Sequence, residues 1–351
     1  MWKKGAPKEK SSSRFNNQWN KYHNRDVGEK LMKAAVYRSY GPPEVLKVEE
    51  VETPTIQEEE DGRVLVKVHY ASVNPFDYIH RKGYLPVRAS NGFRTPKQQI
   101  MGIDVAGTIE AVSGNVTRFK VGDPVFGHCL GSHAEYVRAR QDRLSRLPRN
   151  ATFQEAAAVP CAALTALQAF RDIAHIQKGQ KVLVYGASGG VGHFAVQLAR
   201  FYETEVTAVC STSNLSWVKD LGAHHMIDYT KQDFARNGKT YDIILVAAGR
   251  RTYFSCKPSL KATSMFVSES PKPEYGMLQI LLSSWVGDKR AKMHLSQPNE
   301  KDIEFLRELI EAGKLRPVIE TCYPLDQIVE AHRHIENGHT KGKVIIEVSK
   351  G

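Results

Sequence analysis

Short segments with alternating apolar and polar positions follow one another through the first part of the chain. The segments "RVLVKVHYASV", "GIDVAGTIEAV" and "GSHAEYVRA" each read as a strand, and glycine or proline residues separate them. Such alternation is typical of half-buried β-strands, and clusters of Gly and Pro mark the turns between them. The pattern from Met32 to about Asn150 therefore predicts a mainly antiparallel β domain.

The pattern changes at Thr152, where a stretch rich in Ala and Leu begins. Thr152 followed by Glu155 makes a capping box, which marks a helix start, and Pro160 is expected to divide the stretch into two helices. Apolar runs such as "KVLVYG", "EVTAVC" and "YDIILVAA" then alternate with helical segments. Continuous apolar strands separated by helices predict an α/β fold whose parallel sheet is covered on both faces.

The last part of the chain combines helices and strands. Ile303, Leu306, Leu309 and Ile310 form the apolar stripe of a predicted amphipathic helix. A strand in "RPVIETCYPL", a helix in "DQIVEAHRHIENG" and a strand in "KVIIEV" follow it. We expect these elements to form a separate final segment.

A cluster of glycines separates the predicted strand Lys181–Tyr185 from a helix that begins near Gly190. The first N–H groups of a helix have no intrahelical partner, and the helix dipole adds partial positive charge, so this end binds anions. The spacing Ala-x-Gly-x-x-Gly within a strand–turn–helix unit predicts a dinucleotide phosphate site, with Ala replacing the first glycine of the fingerprint. The residues expected to bind the cofactor here are Ala187, Ser188, Gly189, Gly190, Val191 and Gly192.

The end of the next predicted strand bears on the choice of cofactor. An Asp or Glu at that position binds the ribose 2′-hydroxyl of NAD, but this sequence has Cys210, Ser211 and Thr212. No carboxylate at these positions would repel a 2′-phosphate, and the hydroxyl groups can donate hydrogen bonds to one. We therefore expect NADPH. NADH is the less favoured alternative, which stays open because Lys219, the nearby cation, lies one turn into the following helix.

Several motifs together resemble one protein family. They are "ASVNPFDYIHRKGY" (71–84), "FKVGDPVFG" (119–127), "GASGGVG" (186–192) and the C-terminal segments "GKLRPVIE" and "GHTKGKVII". From about Met32 to Val348 the chain resembles the zinc-independent medium-chain dehydrogenase/reductases, in the quinone oxidoreductase-like (zeta-crystallin-like) branch. The resemblance implies a GroES-like catalytic domain beside a Rossmann cofactor domain, with the active site in the cleft between them.

The resemblance also implies how the chain is divided. We expect a basic, disordered leader (1–31), the first part of the catalytic domain (32–154), the Rossmann domain (155–296) and a return segment that completes the catalytic domain (297–351). Members of the family commonly form dimers, so a homodimer is the expected assembly.

Zinc is not expected, because other residues occupy the positions of its ligands in zinc-dependent relatives. The resemblance aligns Asn74 with the first cysteine ligand and Gly102-Ile103-Asp104 with a Gly-His-Glu motif, so that Cys161 is left alone near the third position. Catalytic zinc normally has three protein ligands. Reduction of a quinone or an α,β-unsaturated carbonyl places charge on a delocalised oxygen, which a hydrogen-bond donor can stabilise without a metal. These are the expected substrates.

Two residues are candidates for a direct part in the chemistry. Asn74 offers an amide, and Tyr84 offers a phenol that can donate a proton, as a tyrosine after an Arg-x-Gly motif does in related reductases. The spacing "RKGY" is one residue short, so Tyr78 is a rival. The alternative is that Asn74 and Asp77 only cap a turn and that Tyr84 is a surface aromatic residue. The further cofactor contacts that the resemblance implies are Thr165, Tyr229, Gly249 and Ser268.

Composition bears on the cellular compartment of the protein more than on the reaction that it catalyses. The chain has 351 residues, of which 41% are hydrophobic and 25% charged, and its five cysteines are scattered with no CxxC pair. This cysteine usage is typical of a reducing compartment. No apolar run approaches the roughly 18 residues of a membrane-spanning helix, and the start has no signal-peptide core. We therefore expect a cytoplasmic protein without a membrane span.

The positive charge is unevenly spread and leaves a second class of function open. The net charge is +11, and the first 30 residues hold eight Lys or Arg against three Asp or Glu. This leader also carries aromatic residues, including Trp2 and Trp19, which suits a non-catalytic NADPH-binding protein with a nucleic-acid or structural role. The phosphate turn favours the enzyme, with a small-molecule quinone or enone as its substrate and without a nucleic-acid partner.

Overall fold

Two sheets of different character make up most of the computed structural model, which describes residues 30–248, 251–268 and 291–349. One is a seven-stranded, largely antiparallel sheet, and the other is a six-stranded parallel sheet. This arrangement confirms the predicted α/β class with a GroES-like part and a Rossmann part. The predicted leader, apart from its last two residues, lies outside the described residues, and so does Gly249.

The β-rich part begins one residue earlier than the sequence pattern indicates, at Leu31. Its strands are β1 (Leu31–Tyr37), β2 (Leu46–Glu52), β3 (Arg63–Val73), β4 (Asp104–Val112), β5 (Pro124–His128), β6 (Tyr136–Arg140) and β7 (Leu144–Arg146). Strands β1 and β2 pair with each other as a separate two-stranded sheet. Strand β3 is the centre of the seven-stranded sheet, because it pairs with β4 along its length and with β6 through its first half. Two helices, α1 (Pro75–Lys82) and α2 (Leu85–Asn91), follow β3.

The parallel sheet belongs to the second part of the chain. Its strands are β8 (Lys181–Tyr185), β9 (Glu205–Cys210), β10 (His225–Asp228), β11 (Tyr241–Val246), β12 (Leu260–Ser268) and β13 (Ala291–Met293). The helices described here are α3 (Phe153–Ala157), α4 (Pro160–Gln168), α5 (Gly190–Phe201), α6 (Leu215–Lys219) and α7 (Tyr253–Cys256). The strand order is β10-β9-β8-β11-β12-β13. Successive strands are added on one side of β8 as far as β10 and on its other side from β11 onward, so the order reverses between β8 and β11. In doubly wound sheets, ligands bind outside the carboxyl ends of the strands at such a reversal.

The return segment contacts both parts of the molecule. It contains α8 (Glu300–Glu311), β14 (Ile319–Pro324), α9 (Ile328–Asn337) and β15 (Lys343–Glu347). The predicted stripe of α8 is buried in the same core as α4 and α5. Strand β15 pairs antiparallel with the second half of β3, and β14 pairs with β15. The chain thus comes back to the seven-stranded sheet, while α8 lies against β7 and α4.

The predicted helix signals around Thr152 have their expected geometry. The Thr152 hydroxyl accepts a hydrogen bond from the Glu155 N–H at 3.2 Å, and the Thr152 N–H donates to the Glu155 carboxylate at 2.8 Å. Helix α3 then ends at Ala157, and α4 begins at Pro160. The capping box and the helix break at the proline are therefore confirmed. Within the described part of the chain, no helix has the length and apolar character that crossing a membrane requires.

A close approach between strand and helix explains one glycine of the phosphate turn. A Cβ placed on Gly192 would lie 2.0 Å from the carbonyl oxygen of Gly186, a distance that no real contact permits. A Cβ placed on Gly189 would meet that same oxygen at 3.4 Å, which is an ordinary contact. Gly192 is thus required by the packing of α5 on β8, whereas Gly189 leaves open space beside the turn.

We expect Gly192→Ala to destabilise the protein by about 1–3 kcal/mol, because the added methyl group must push α5 away from the turn. Gly189→Ala is the matched control and is expected to leave stability nearly unchanged. The measurement is the Tm of both variants without cofactor. Equal Tm values for Gly192→Ala and the unchanged protein would show that α5 can shift without cost.

Candidate active site

The turn between β8 and α5 presents unpaired backbone donors. Gly189 is the N-cap of α5, and the first bond of the helix runs from the His193 N–H to the Gly189 carbonyl at 3.1 Å. The N–H groups of Gly190, Val191 and Gly192 therefore precede the first intrahelical bond, which is the arrangement that binds phosphate groups. Ala187 is fully buried in the core. Its side chain is therefore covered, and Ala187 can contact a cofactor only through its backbone.

Two contacts from elsewhere in the chain support this turn. The His193 ring bonds to the Gly189 carbonyl at 3.0 Å through Nδ1 and accepts the Val318 N–H at 3.2 Å through Nε2. Burial lowers the pKa of His193 to about 4, so the ring is neutral and can serve both partners. The Gly342 N–H donates to the Ser188 carbonyl at 2.8 Å. The sequence analysis missed both residues, because their partners are distant in sequence.

The end of β9 needs a correction. Cys210 was expected to bind the cofactor, but its side chain is 1% exposed and packs in the core. The reason is that both faces of β9 are covered, so the side chains at its end are buried on whichever face they lie. Ser211 and Thr212 follow the strand and begin a 3₁₀ turn. Ser211 accepts a hydrogen bond from the Asn214 amide at 3.0 Å. These two residues place hydroxyl groups at this strand end, whereas Cys210 can contact a cofactor only through its backbone.

A carboxylate that the sequence analysis missed lies beside Thr212. Asp228 ends β10 and lies opposite Cys210 in the sheet. The Thr212 hydroxyl donates to Asp228, and the Thr230 hydroxyl does so at 2.7 Å. These hydrogen bonds hold the pKa of Asp228 below its ordinary value, so the group is ionised at neutral pH. The expectation that no acid lies near the 2′-position was therefore incomplete, because the acid comes from the neighbouring strand.

The rings of Tyr185 and Tyr229 and the guanidinium group of Arg251 lie at the same edge of the sheet. Tyr229 is 41% exposed, and its ring centre lies 6.4 Å from that of Tyr185. The Arg251 guanidinium lies 5.7 Å from the Tyr185 ring centre and forms an ion pair with Asp233 at 2.7 Å. Ser268 ends β12 at the carboxyl side of the sheet, where it pairs with Val246. The positions of Tyr229 and Ser268 fit the predicted cofactor contacts, which stay predictions.

Asn74 lies in a buried polar network. It is the N-cap of α1, and its N–H donates to the Asp77 carboxylate at 2.7 Å, so the capping alternative describes its backbone. Its amide nitrogen donates to Asp104 at 3.0 Å and to the Ser72 hydroxyl at 3.2 Å. Its amide oxygen accepts from the Lys343 ammonium at 2.5 Å. A direct contact with substrate, as predicted for Asn74, requires one of these bonds to open.

Asp77 is an unusual member of this network. Its carboxylate also accepts the Gly102 N–H at 3.1 Å. Burial raises the pKa of Asp77 to about 7, although two backbone N–H groups favour the charged form, and Asp104 raises it further. Opposing effects of this size are common at functional sites. The network thus contains a carboxyl group that changes charge near neutral pH.

The two tyrosine candidates lie at the corner between α1 and α2. Tyr84 is the N-cap of α2 and is partly buried, so both the donor role and the alternative of a surface aromatic residue stay open. Tyr78 lies on α1, where burial, with a smaller contribution from Tyr84, raises its pKa to about 12. Both side chains are near enough to influence each other. The structure keeps both as candidate proton donors.

The start of α4 faces the same network. The Cys161 N–H donates to the Asp104 carboxylate at 2.8 Å, which satisfies one of the unpaired donors at the helix start. The Thr165 hydroxyl donates to the Cys161 carbonyl at 2.7 Å. The oxygen of Thr165 therefore offers a cofactor its lone pairs, because its proton is engaged within the helix.

The residues at the expected metal positions do not fit zinc. Ile103 is 3% exposed and has no donor atom, and the Asn74 amide is engaged as described above. His133 lies near, but its Nε2–H donates a hydrogen bond to the Ser72 carbonyl at 3.2 Å, and burial lowers its pKa to about 4. Among residues 30–248, 251–268 and 291–349, no group of three or more His, Cys, Asp or Glu side chains is arranged to hold a metal ion.

Comparison with known proteins places this architecture in a family. The model of the alcohol dehydrogenase GroES-like domain matches residues 60–169, and that of the zinc-binding dehydrogenase matches residues 221–346. The chloroplastic quinone-oxidoreductase homolog of Spinacia oleracea is 35% identical over 332 residues, covering 91% of this chain and 99% of the relative. The mitochondrial NAD(P)H oxidoreductase RTN4IP1 of Mus musculus is 32% identical over 360 residues, covering 91% and 89%.

A solved structure gives the same result. The quinone oxidoreductase from Coxiella burnetii superposes with a TM-score of 0.81 at 32% identity, covering 91% of this chain and all of that one. The chain therefore belongs to the medium-chain dehydrogenase/reductase family, in its quinone oxidoreductase branch. It is an oxidoreductase that uses a nicotinamide cofactor and acts on small molecules. The matched family description mentions zinc, but the residues at the metal positions of this chain do not supply its ligands.

The hydroxyl and carboxylate groups beside β9 and β10 predict how cofactor choice can be changed. Asp228→Asn removes a negative charge and is expected to strengthen NADPH binding relative to NADH, whereas Ser211→Asp is expected to weaken it by about tenfold or more. Tryptophan fluorescence quenching by each cofactor gives the two Kd values.

Asp220→Asn is the matched control, because it removes the same charge from the exposed end of α6. Its NADPH-to-NADH ratio is expected to equal that of the unchanged protein. If Ser211→Asp and Asp228→Asn also leave the ratio unchanged, the adenosine end of the cofactor binds elsewhere.

Proposed function

We propose that this protein is an NADPH-dependent reductase of quinones or α,β-unsaturated carbonyls that works without zinc. The observation that carries the proposal is the pairing of an open phosphate turn at Gly189–Gly192 with a buried polar network in which Asn74 and Ile103 stand at the metal positions of zinc-dependent relatives. The turn suits a dinucleotide, and the residues at the metal positions suit a reaction that needs no Lewis acid.

The chain's own residues divide into three roles. The backbone N–H groups of Gly190 and Val191 bind the pyrophosphate and fix the cofactor along the sheet edge. Thr165 and Ser268 orient its nicotinamide end by hydrogen bonds. When bound, the reduced nicotinamide supplies a hydride, which carries two electrons to the conjugated acceptor. A phenol at the corner of α1 and α2 supplies the proton that completes the reduction, with Tyr84 as the donor and Tyr78 as its rival.

The acceptor chemistry follows from what the cleft contains. A quinone or enone accepts hydride at a conjugated position, and the negative charge is shared with the carbonyl oxygen. One hydrogen-bond donor stabilises that charge by a few kcal/mol, roughly 10²–10³ in rate. Oxidation of a simple alcohol would instead require removal of a hydroxyl proton, which a metal normally assists. The residues at Asn74 and Ile103 therefore favour the conjugated acceptors.

NADPH is proposed over NADH because the Ser211 hydroxyl at the end of β9 can donate to a 2′-phosphate, whereas the proton of the Thr212 hydroxyl is engaged by Asp228. Asp228 works against this choice, but Lys231 lies 3.9 Å from its carboxylate and offsets part of the charge. The same strand ends bring Arg251 and Tyr229 to this edge. A homodimer and a cytoplasmic location stay predictions, and the relatives described above are chloroplastic and mitochondrial proteins. The non-catalytic alternative depended on the leader, which lies outside the described residues.

The direct test is turnover in the presence of a strong chelator. We expect purified protein to oxidise NADPH with a simple quinone or enone at an unchanged rate after prolonged chelation, and to show little oxidation of simple alcohols. A zinc-dependent alcohol dehydrogenase treated in parallel is the control and should lose its activity. Loss of NADPH oxidation on chelation, with zinc found by elemental analysis, would contradict the proposal.

The proton donor is tested separately by Tyr84→Phe. Loss of the phenol is expected to lower kcat by about ten- to thousand-fold, the range for one general acid or oxyanion donor, while the Kd for NADPH stays unchanged. Tyr78→Phe is the matched control, because it removes the same group from the neighbouring helix. A large loss in Tyr78→Phe with normal activity in Tyr84→Phe would assign the role to Tyr78.

A further inference from the structure

Lys343, at the start of β15, is a buried cation in the polar network around Asn74 and Asp104. The residue is 3% exposed, and its ammonium donates to the Asn74 amide oxygen at 2.5 Å and lies 3.5 Å from the Asp104 carboxylate. Lysine is almost never buried unless it is paired. The two residues that it contacts are themselves fully buried or nearly so. Its position therefore depends on this pair of partners.

Asp104 extends the contact of Lys343 to α4. One carboxylate oxygen accepts from the Ser72 hydroxyl at 2.6 Å and from the Asn74 amide at 3.0 Å, and it faces Lys343. The other oxygen accepts the N–H of Cys161 at 2.8 Å. The starts of α1 and α4, which carry candidate substrate and cofactor residues, are thus bonded to one carboxylate.

The same segment of chain also contacts the phosphate turn. Gly342 donates its N–H to the Ser188 carbonyl at 2.8 Å, and a Cβ on Gly190 would lie 3.4 Å from the Lys343 side chain. Gly342 has a φ of +69°, and a Cβ there would lie 2.1 Å from the Val318 carbonyl. This close approach fixes the backbone just before Lys343. Two consecutive residues therefore join the turn to the buried network.

We propose that Lys343 is a positioning residue for hydride transfer: it holds Asn74 and, through Asp104, the start of α4 in register with the phosphate turn. This inference rests on the proposed function. The ammonium of Lys343 is bonded to two buried residues, so the role assigned to it is positioning and not contact with the reacting atoms. Its effect is on alignment, since a displacement of about 1 Å at a reacting centre can cost about a hundredfold in rate.

The charge balance explains why the ammonium matters more than its alkyl chain. Without it, Asp104 would be a buried carboxyl group with no cation bonded to it in the described part of the chain, and a buried charge without a partner is strongly unfavourable. The network would relax by moving Asn74 or by admitting water. Either change shifts α1 relative to the turn that holds the cofactor.

The kinetic test compares Lys343→Met with Lys343→Arg. Methionine keeps the chain length and removes the charge, and we expect kcat to fall by about ten- to hundredfold while the KM for NADPH changes by less than about threefold. Arginine restores the charge and is expected to recover most of the lost rate. Lys341→Met is the matched control, because Lys341 lies two residues earlier and is exposed. Unchanged kcat in Lys343→Met, or a loss that appears only in KM, would overturn the proposal.

A second measurement does not depend on turnover. Hydrogen exchange should show that NADPH protects the start of α1 in the unchanged protein and in Lys343→Arg but not in Lys343→Met. Lys343→Met is also expected to speed exchange of the Cys161 N–H by about tenfold or more without cofactor. Equal exchange in all three proteins would overturn the proposal. If the unchanged protein reduces no quinone or enone, the proposed function fails, while the Cys161 exchange still tests the role of Lys343.

If Lys343→Met does not fold, the double variant Lys343→Met/Asp104→Asn removes both charges together. We expect this variant to fold and to retain the low kcat, because the buried charge is gone but the register is not restored. A double variant with the kcat of the unchanged protein would show that the ion pair has no positioning role.

Discussion

The rest of the site depends on the hydrogen bonds and the ion pair of the buried Asp104 carboxylate. It accepts hydrogen bonds from Ser72, Asn74 and the Cys161 backbone, and it faces the Lys343 ammonium. A charged group is stable in such a place only when several donors surround it. Each donor belongs to a different element, so one carboxyl group fixes the relative positions of β3, α1, α4 and β15.

The phosphate turn is coupled to this network by packing as well as by hydrogen bonds. Gly192 lets α5 approach β8, and the neutral His193 ring links the turn to the segment before β14. The Gly342 N–H completes the connection at Ser188. The return segment therefore contacts the turn that would hold a cofactor and the sheet that would hold the substrate. These contacts are the physical consequence of the return of the chain to the seven-stranded sheet after the parallel sheet.

Local patterns predicted the fold well, because periodicity, capping residues and turn glycines act over a few positions. The strands, the capping box at Thr152 and the helix start near Gly190 all follow from such signals. The site was less predictable. Cys210 was assigned to the cofactor, although β9 is covered on both faces and the Cys210 side chain lies in the core. The pattern alone did not show that the covering of the strand extends to its last residue.

The residues that were missed are joined by contacts between distant positions. Asp228 comes to Thr212 through the pairing of β10 with β9, and Lys343 comes to Asn74 through the pairing of β15 with β3. Register between strands that are far apart in sequence is set by the whole sheet, so a reading of single segments does not reveal it. A carboxylate at the end of "HMID" and a lysine at the start of a terminal strand were visible as residues but not as neighbours.

The most direct measurement is a crystal structure of the protein with NADPH, recorded with anomalous data at the zinc absorption edge. Our account predicts the pyrophosphate on the N–H groups of Gly190 and Val191, the nicotinamide beside Thr165, Lys343 still bonded to Asn74, and no zinc signal in the cleft. A zinc peak near Cys161, or a cofactor bound away from the turn, would contradict it.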